Sequence, residues 1–416
     1  MGFLKLFKGA DLSKHAVALD IGTEFVKALI FKVEEDHATV LGYGRQRQRL
    51  SDINGGVVTD IGGVIKNCEV ALDRAAEQAK ITPDQAIIGI AGELVKGATT
   101  VIKYTRPDGK KNITMQELQD IISRVQRRAY DQARSILTWE SGLAELDVRL
   151  VNAAVVDVRI DGYRVTNPIG FQGKQIEISL YNSFAPIVHL GALQTIADHL
   201  DLDLLSITAE PYAVAKSVTG EGSTDFSAIF IDIGGGTTDI AIVNSGGLVG
   251  TKMFAIGGRA FTKRISQVLG VPFSEAEEIK LKYSDDTLDE ERAKQVGKAF
   301  ETDCHVWLAG VELTLGEYTS IETLPSKILL CGGGSKLKDI EKILKTDWHS
   351  KLPFAKKPSV HFIEPKDINA VKDETGFIKD AADITPMALA DVARDLVGKP
   401  TVVDGVLTKI IKNLKS

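Results

Sequence analysis

Cysteine is scarce in this chain: three residues in 416, Cys68, Cys304 and Cys331, far apart and without paired ligand spacing. That pattern fits free thiols in a reducing compartment and gives no disulfide framework. Seven histidines are scattered with no H-x-x-x-H pair, so there is no zinc signature. No stretch reaches the roughly 18 apolar residues that a spanning helix needs. Basic surplus is also missing: 50 Lys and Arg against 56 Asp and Glu leave a net charge of −6, which argues against a general nucleic-acid-binding role. The opening MGFLKLFKG is too short in its apolar part for a signal peptide, and a disordered or docked terminus is expected ahead of a contact with a membrane surface. With 44% hydrophobic and 25% charged residues the composition is that of a soluble globular protein, and the length calls for two or more lobes.

What the chain does have is a stretch around which the rest is organised. Ile229–Ile242 reads IFIDIGGGTTDIAI: a buried strand, Asp232, Gly234, Gly235 and Gly236, then Thr237 and Thr238, Asp239 and a second strand. The glycines permit a turn whose backbone N–H groups can approach an anion, Asp232 can meet a hydrated divalent cation, and the threonine hydroxyls can donate to phosphate oxygens. A plain Gly-rich hairpin has the same appearance. The distinguishing feature is a second copy, Val17–Phe31 (VALDIGTEFVKALIF), whose Asp20 precedes Asp232 by 212 residues. Two strand–Asp–Gly–Thr–strand hairpins, one per half, can grip a polyphosphate from both sides, and they mark an internal duplication.

In chain order, three strands over residues 15–46 lead to a helix capped by Asp60 and a short strand at Ala86–Ile90. Residues 94–184 read as an inserted β-α-β-β module: a strand at Ala98–Tyr104, a charged helix from Thr114 to about Ser135 with Glu117 three residues after its cap, and two long strands. The module has no clustered acid or base and no phosphate loop, which makes it an interaction module. Glu210-Pro211 opens a helix. Past the Gly/Ser-rich break at 220–224 come the second hairpin, Gly257-Gly258-Arg259 opening a helix, helices near 274–284 and 287–315, and a strand at Ser326–Cys331. Gly332, Gly333, Gly334 and Ser335 follow it, a turn that either lets backbone pass close to a flat nucleoside or is simply tight. Residues 365–382 read partly as loop, and Thr385–Val397 as the last helix of the body. The expected division is 1–93 with 185–220 as first lobe, 94–184 as inserted module, 221–398 as second lobe and 399–416 as linker and tail.

Taken together, Asp20-Ile-Gly-Thr, Glu210-Pro211, Asp232-Ile-Gly-Gly-Gly-Thr-Thr-Asp, Gly257-Gly258 and Gly332-Gly-Gly-Ser resemble the actin-like ATPase superfamily. Within it, Gly55-Gly-Val-Val-Thr-Asp-Ile61, Ala276-Glu-Glu-Ile-Lys-Leu-Lys-Tyr283 and the inserted module resemble the FtsA family of bacterial cell-division proteins. The resemblance implies an α/β, duplicated actin-like fold with two lobes around a nucleotide cleft, and ATP with Mg²⁺ as cofactors. It implies that Asp20 and Asp232 hold Mg²⁺ through water and that Gly22, Thr23, Gly234, Gly235, Gly236, Thr237 and Thr238 line the phosphates. Glu210 would help organise the metal and attacking water, with no second obvious base, so slow turnover is expected. Gly257 and Gly258 match a connecting segment, Glu277 and Lys280 lie near the ribose, and Gly332 to Ser335 pack along the adenosine. An exposed ion pair is the alternative for Glu277 and Lys280.

The last residues, TVVDGVLTKIIKNLKS, are amphipathic. Val403, Val406, Leu407, Ile410, Ile411 and Leu414 fall on one arc of about 140°, with Lys409, Lys412 and Lys415 opposite. Four lysines against one aspartate from Lys399 onward make this tail basic. Burial against an anionic bilayer would stabilise so short a helix, as would packing on protein; FtsA-like proteins also end in a membrane-targeting helix. The resemblance therefore implies a peripheral protein on the cytoplasmic membrane face at the division site. There it would form head-to-tail polymers, hold the tubulin-like FtsZ and recruit other division proteins. The rivals are a PilM-like adaptor of type IV pilus assembly, which usually lacks the terminal helix, and a small-molecule kinase, for which no base with suitable context is present. A chaperone reading fails because no peptide-binding domain follows.

Overall fold

The computed structural model describes residues 14–92, 95–141, 147–220, 223 and 225–397. The residues expected to face a membrane, Val403 to Lys415, lie outside the described residues.

The β-branched runs of the first half form β1 (His15–Ile21), β2 (Phe25–Val33), β3 (Ala38–Arg47) and the short pair β4 (Ile53–Asn54) and β5 (Val57–Val58). Helix α1 (Ile61–Ala79) follows, started by the Asp60 carboxylate, which accepts from Gly63 N at 3.0 Å, and stopped at Lys80 in the left-handed conformation. Then come β6 (Gln85–Ile90), β7 (Lys96–Thr105), α2 (Met115–Ser141), β8 (Val148–Ile160), β9 (Tyr163–Arg164) and β10 (Gln175–Pro186). Thr114 caps α2 as its sequence signature predicts, accepting from Glu117 N at 3.2 Å. Next are α3 (Ile187–His199), β11 (Asp203–Ala209) and α4 (Glu210–Thr219). The second half supplies β12 (Ala228–Ile233), β13 (Thr238–Asn244), β14 (Gly247–Phe254), α5 (Gly258–Leu269), α6 (Phe273–Ser284), α7 (Glu290–Gly316) and β15 (Lys327–Cys331). It closes with α8 (Lys338–Leu344), β16 (Ser359–Phe362), β17 (Val371–Asp373) and α9 (Ile384–Val397).

The duplication is visible in the pairing. One sheet runs β11-β6-β1-β2-β3-β17, and the other begins β16-β15-β12-β13-β14. In each half the first three strands form an antiparallel meander, and two later strands add in parallel beside the first. Each half therefore opens with a hairpin whose first strand is central in its sheet, and its turn projects where the parallel strands end, the usual ligand edge of such sheets.

The inserted strands do not stand apart. β7 pairs antiparallel with β14 through Gly250↔Ala98 and Thr251↔Gly97, so β7-β10-β8-β9 continue the sheet of the second half. In sequence these strands fall between β6 and β11 of the first sheet, whereas their backbone ladder joins the second sheet. Tyr181 fixes the junction by bonding Thr251 Oγ1 at 3.1 Å, over a Gly97 that has no room for a side chain. Leu118, Ile121, Ile122 and Val125, spaced for one face of α2, bury against Val158, Ile160, Ile176 and Ile178 as the module's own core. Larger cores fill each half, one around Leu19, Leu29 and Ile88 and the other around Ile231, Phe300 and Trp307. Among the described residues no helix is long and apolar enough to cross a membrane.

Candidate functional site

The turns of the two hairpins meet. A Cβ on Gly235 would lie 3.0 Å from Glu24 Cβ, and one on Gly236 would lie 3.1 Å from Thr23 Cγ2, so the second turn needs glycine to lie against the first. Arg259, in the first turn of α5, spans the junction: its Nε donates to Glu24 Oε2 at 2.8 Å and its Nη2 to Thr23 O at 2.7 Å.

Behind the turns the strand registers place the acids. In the first hairpin Asp20 lies opposite Lys27, whose Nζ is 3.4 Å from Asp20 Oδ2. In the second the equivalent position opposite Asp232 is another acid, Asp239. Glu210, the first residue of α4, completes the group. A Cβ on Gly89 of β6 would fall 2.6 Å from Glu210 Oε1, so Gly89 makes the space that this carboxylate fills. Asp20 and Asp239 are buried, while Glu210 and Asp232 are half-buried.

These groups share one field. Burial, followed by the charges of Asp20, Asp239 and Asp232, raises the Glu210 carboxyl well above its ordinary range. Burial also raises Asp20, against the opposing effect of Lys27. It raises Asp232, with a bond from the Thr385 hydroxyl and the Lys27 charge pulling down and the Asp20 charge pushing up. Asp239 is pushed up to about 7 by burial and then by Asp232. Four acids facing one ammonium form a site short of positive charge, which a divalent cation would supply. Among the described residues no three His, Cys, Asp or Glu side chains are set closely enough to cage a metal. A largely hydrated Mg²⁺ held through one or two carboxylates needs no such cage, and the donor set fits it.

The remaining predicted residues gather around the second hairpin. Gly258 N and Arg259 N donate to Gly234 O and Gly235 O at 2.9 and 2.8 Å, and a Cβ on Gly257 would sit 2.7 Å from Gly234 O. Glu277 and Lys280 are not an exposed pair. They are buried 2.7 Å apart, Lys280 Nζ reaches Gly258 O at 3.2 Å and Thr262 Oγ1 at 2.8 Å, and Thr262 also bonds Glu277. The Gly332 turn adjoins Asp232: Gly332 has φ +83°, and a Cβ there would fall 2.5 Å from Ile233 O and closer still to Asp232 Oδ1. Gly334 packs against Ile233.

Two expected phosphate or nucleoside contacts are otherwise engaged. The buried Thr238 hydroxyl donates to Ile256 O at 2.7 Å and accepts from Trp307 Nε1 at 2.9 Å, which corrects its placement among the phosphate donors: it faces the core of the second half. Ser335 is fully buried and its hydroxyl closes its own turn onto Gly332 O at 2.7 Å. Thr237 bonds Asp239 Oδ2 at 3.2 Å.

The sequence assigns no role in the site to Lys27, Asp239 or Thr385. Lys27 and Asp239 follow from the hairpin register once both strands are recognised. Thr385, whose hydroxyl donates to Asp232 Oδ2 at 2.8 Å, is 153 residues away in sequence and gives no local signal.

The family model for "Cell division protein FtsA" matches residues 229–375. FtsA of Enterococcus hirae is 26% identical over 272 residues, covering 65% of this chain and 58% of that protein. FtsA of Pseudomonas aeruginosa is 29% identical over 273 residues, covering 65% and 61%. The chain spans about three fifths of the length of the curated relatives it matches. Among solved structures, the PilM–PilN type IV pilus biogenesis complex superimposes with a TM-score of 0.62 at 14% identity, over 90% of this chain and 97% of the other. The chain is thus similar to FtsA in sequence and has the duplicated α/β fold that its motifs predict, shared with the PilM–PilN complex.

Proposed function

We propose that the chain binds ATP with Mg²⁺ between its two hairpins and acts as an FtsA-like adaptor of cell division. The observation behind this is the convergence of Asp20 and Asp232, one from each half, in one electrostatic field beneath two touching glycine turns. In this reading Asp20 and Asp232 hold the cation through water, and Gly22, Thr23, Gly234, Gly235, Gly236 and Thr237 line the phosphates. Gly257 and Gly258 border them, Glu277 and Lys280 border the ribose, and Gly332 to Gly334 border the adenosine. The cation screens the phosphates and the acid cluster from each other. Glu210 orients the attacking water; with one such group the turnover is slow.

The adaptor role extends the FtsA likeness to whole-protein behaviour. It comprises self-assembly head to tail, capture of an FtsZ-like tubulin homologue, recruitment of further division proteins, and anchoring of the 399–416 tail at the inner membrane face of the division site. The division into two lobes at 1–93 with 185–220 and at 221–398, with 94–184 as contact module, belongs to the same proposal, except that β17 and α9 pair and pack with the first sheet. Liposome co-sedimentation with ATP, comparing the full chain with one cut after Lys399, tests the anchor: the full chain should pellet with anionic vesicles and the shortened one should not. Equal pelleting removes the tail from the proposal. The fold likeness to PilM leaves a pilus adaptor as the second reading, and a pull-down that recovered a PilN-type peptide in place of an FtsZ-like protein would select it.

A further inference from the structure

The chain segment Asp380–Thr385 bonds Asp232, the lysine that pairs with Asp20, and the third glycine turn. Thr385 donates to Asp232 Oδ2 at 2.8 Å. Lys27 bonds Asp20 Oδ2 and, with the same ammonium, Ala382 O. Gly332 N donates to Ala381 O at 2.9 Å. Asp383 accepts from Tyr43 OH of β3 at 3.1 Å, and Asp380 caps the turn by accepting from Ala382 N at 2.9 Å. One short piece of chain is therefore fastened directly to Asp232 and, through Lys27, to Asp20, and it opens α9.

We infer that Thr385 is a positioning residue for Asp232, and that through it the start of α9 follows occupancy of the cleft. The inference deepens the ATP reading and rests on it. A hydroxyl has one proton to donate, and that of Thr385 goes to Oδ2. The other oxygen, Oδ1, lies over the bare Cα of Gly332. The carboxylate is thus held from two sides. Thr385 is buried, and a buried hydroxyl that loses its acceptor is costly, so Thr385 moves with Asp232. When Asp232 turns toward a hydrated cation, the segment behind it must shift or hold it back. Either outcome makes cation binding and the position of α9 two ends of one linkage, which is reciprocal. α9 packs on α4, the helix that Glu210 begins, with Ser217 Oγ donating to Ala388 O at 3.4 Å. In sequence α9 runs on into the basic amphipathic tail.

The test is hydrogen–deuterium exchange and Mg²⁺-dependent ATP binding on the full chain, for wild type, Thr385→Val and Thr385→Ser. In wild type, ATP with Mg²⁺ should slow exchange at residues 20–26, 232–238 and 381–388 together, and ATP with a chelator should leave 381–388 unchanged. Thr385→Val should raise the Mg²⁺ needed for half-saturation about tenfold, as loss of a hydrogen bond to a charged group predicts. It should also lose protection at 381–388 while keeping it at 20–26. Thr385→Ser, which keeps the hydroxyl, should restore both, and the melting temperature without nucleotide controls for folding. A valine variant matching wild type in both readouts, or wild-type protection confined to the hairpins, would show a structural hydrogen bond only. If ATP with Mg²⁺ protects neither hairpin, the ATP reading itself fails, and this inference falls with it.

Discussion

Arg259 of the second half and Glu24 of the first form a charged hydrogen bond of 2.8 Å across the mouth of the cleft. Arg259 also reaches Thr23 O, Leu50 O and Ile53 O at 2.7, 3.4 and 3.3 Å, while Glu24 Oε1 receives Arg47 at 2.7 Å. The pair is therefore both a latch and part of a network that fixes the first turn.

Arg259→Ala should destabilise the protein by about 1–3 kcal/mol, below the full cost of stranding a buried charge because Arg47 still serves Glu24. Arg259→Lys should recover less than half, since an ammonium lacks the planar fork that reaches several acceptors. The effect depends on pH. Burial raises the Glu24 carboxyl, but bonds from Arg259 and Arg47 outweigh it and leave it below its usual 4.5. A depressed folded value contributes stability above the unfolded value and loses it as pH falls through the folded one. Denaturant unfolding of wild type and Arg259→Ala should therefore differ most at pH 7 and less as pH falls below 4.5, the bonds to Thr23 O, Leu50 O and Ile53 O leaving a residual gap. A gap of the same size at both ends would remove the charge argument.

Asp239 gives the opposite sign. Folded, it keeps its proton up to about pH 7; unfolded, it releases it near 3.8. Between those values the native state binds more protons, so its contribution to stability falls as pH rises from 4 to 7 and is level above. Asp239→Asn should flatten that fall and leave the protein more stable than wild type at pH 8. Urea midpoints at pH 5, 6, 7 and 8 measure this, and parallel curves for the two proteins would refute it.

Glu210 is separable from binding. Glu210→Gln keeps the size of the side chain, so ATP affinity should stay within about threefold while phosphate release falls about 10²-fold, as loss of a positioned general base predicts. Gly89→Ala should reproduce the kinetic loss from the far side of the carboxylate, because its Cβ would enter the space held by Glu210 Oε1. Single-turnover phosphate release with matched binding measurements distinguishes the two effects. Unchanged turnover in both variants would assign Glu210 to the cation or to the fold alone.

Much of this site was legible because its signals are local. An acid at the end of an apolar strand followed by glycine and threonine fixes both hairpins, and Asp60 and Thr114 announce helices that the structure starts where expected. What stayed hidden depends on distance or on facing. Thr238 has the chemistry of a phosphate donor, yet strand alternation turns it toward Trp307, and nothing near it in sequence announces that indole. The four-residue β16 and three-residue β17 are too short for a period-2 pattern, so the chain that ties the Gly332 turn to α9 reads as loop. Pairing of the module with β14 is likewise a contact between segments about 150 residues apart, made by Gly97 and Tyr181, not by pattern.

Neighbouring glycines 332 and 333 should respond differently to the same change. Gly332 has φ +83°, and its Cβ would overlap Asp232 Oδ1 and approach Ile233 O, whereas a Cβ on Gly333 would meet nothing within 4 Å. Gly332→Ala combines a backbone conformation that essentially only glycine adopts, costing about 1–3 kcal/mol, with a clash against rigid backbone and a site acid, for a total loss of about 2–4 kcal/mol. The displaced Asp232 should also weaken Mg²⁺-dependent ATP binding. Gly333→Ala should remain within about 0.5 kcal/mol of wild type and bind ATP normally. Urea unfolding and ATP titration of the pair measure both effects. Equal behaviour of the two variants would mean that the third glycine turn does not abut Asp232, and the constraint that holds this carboxylate from below would be lost.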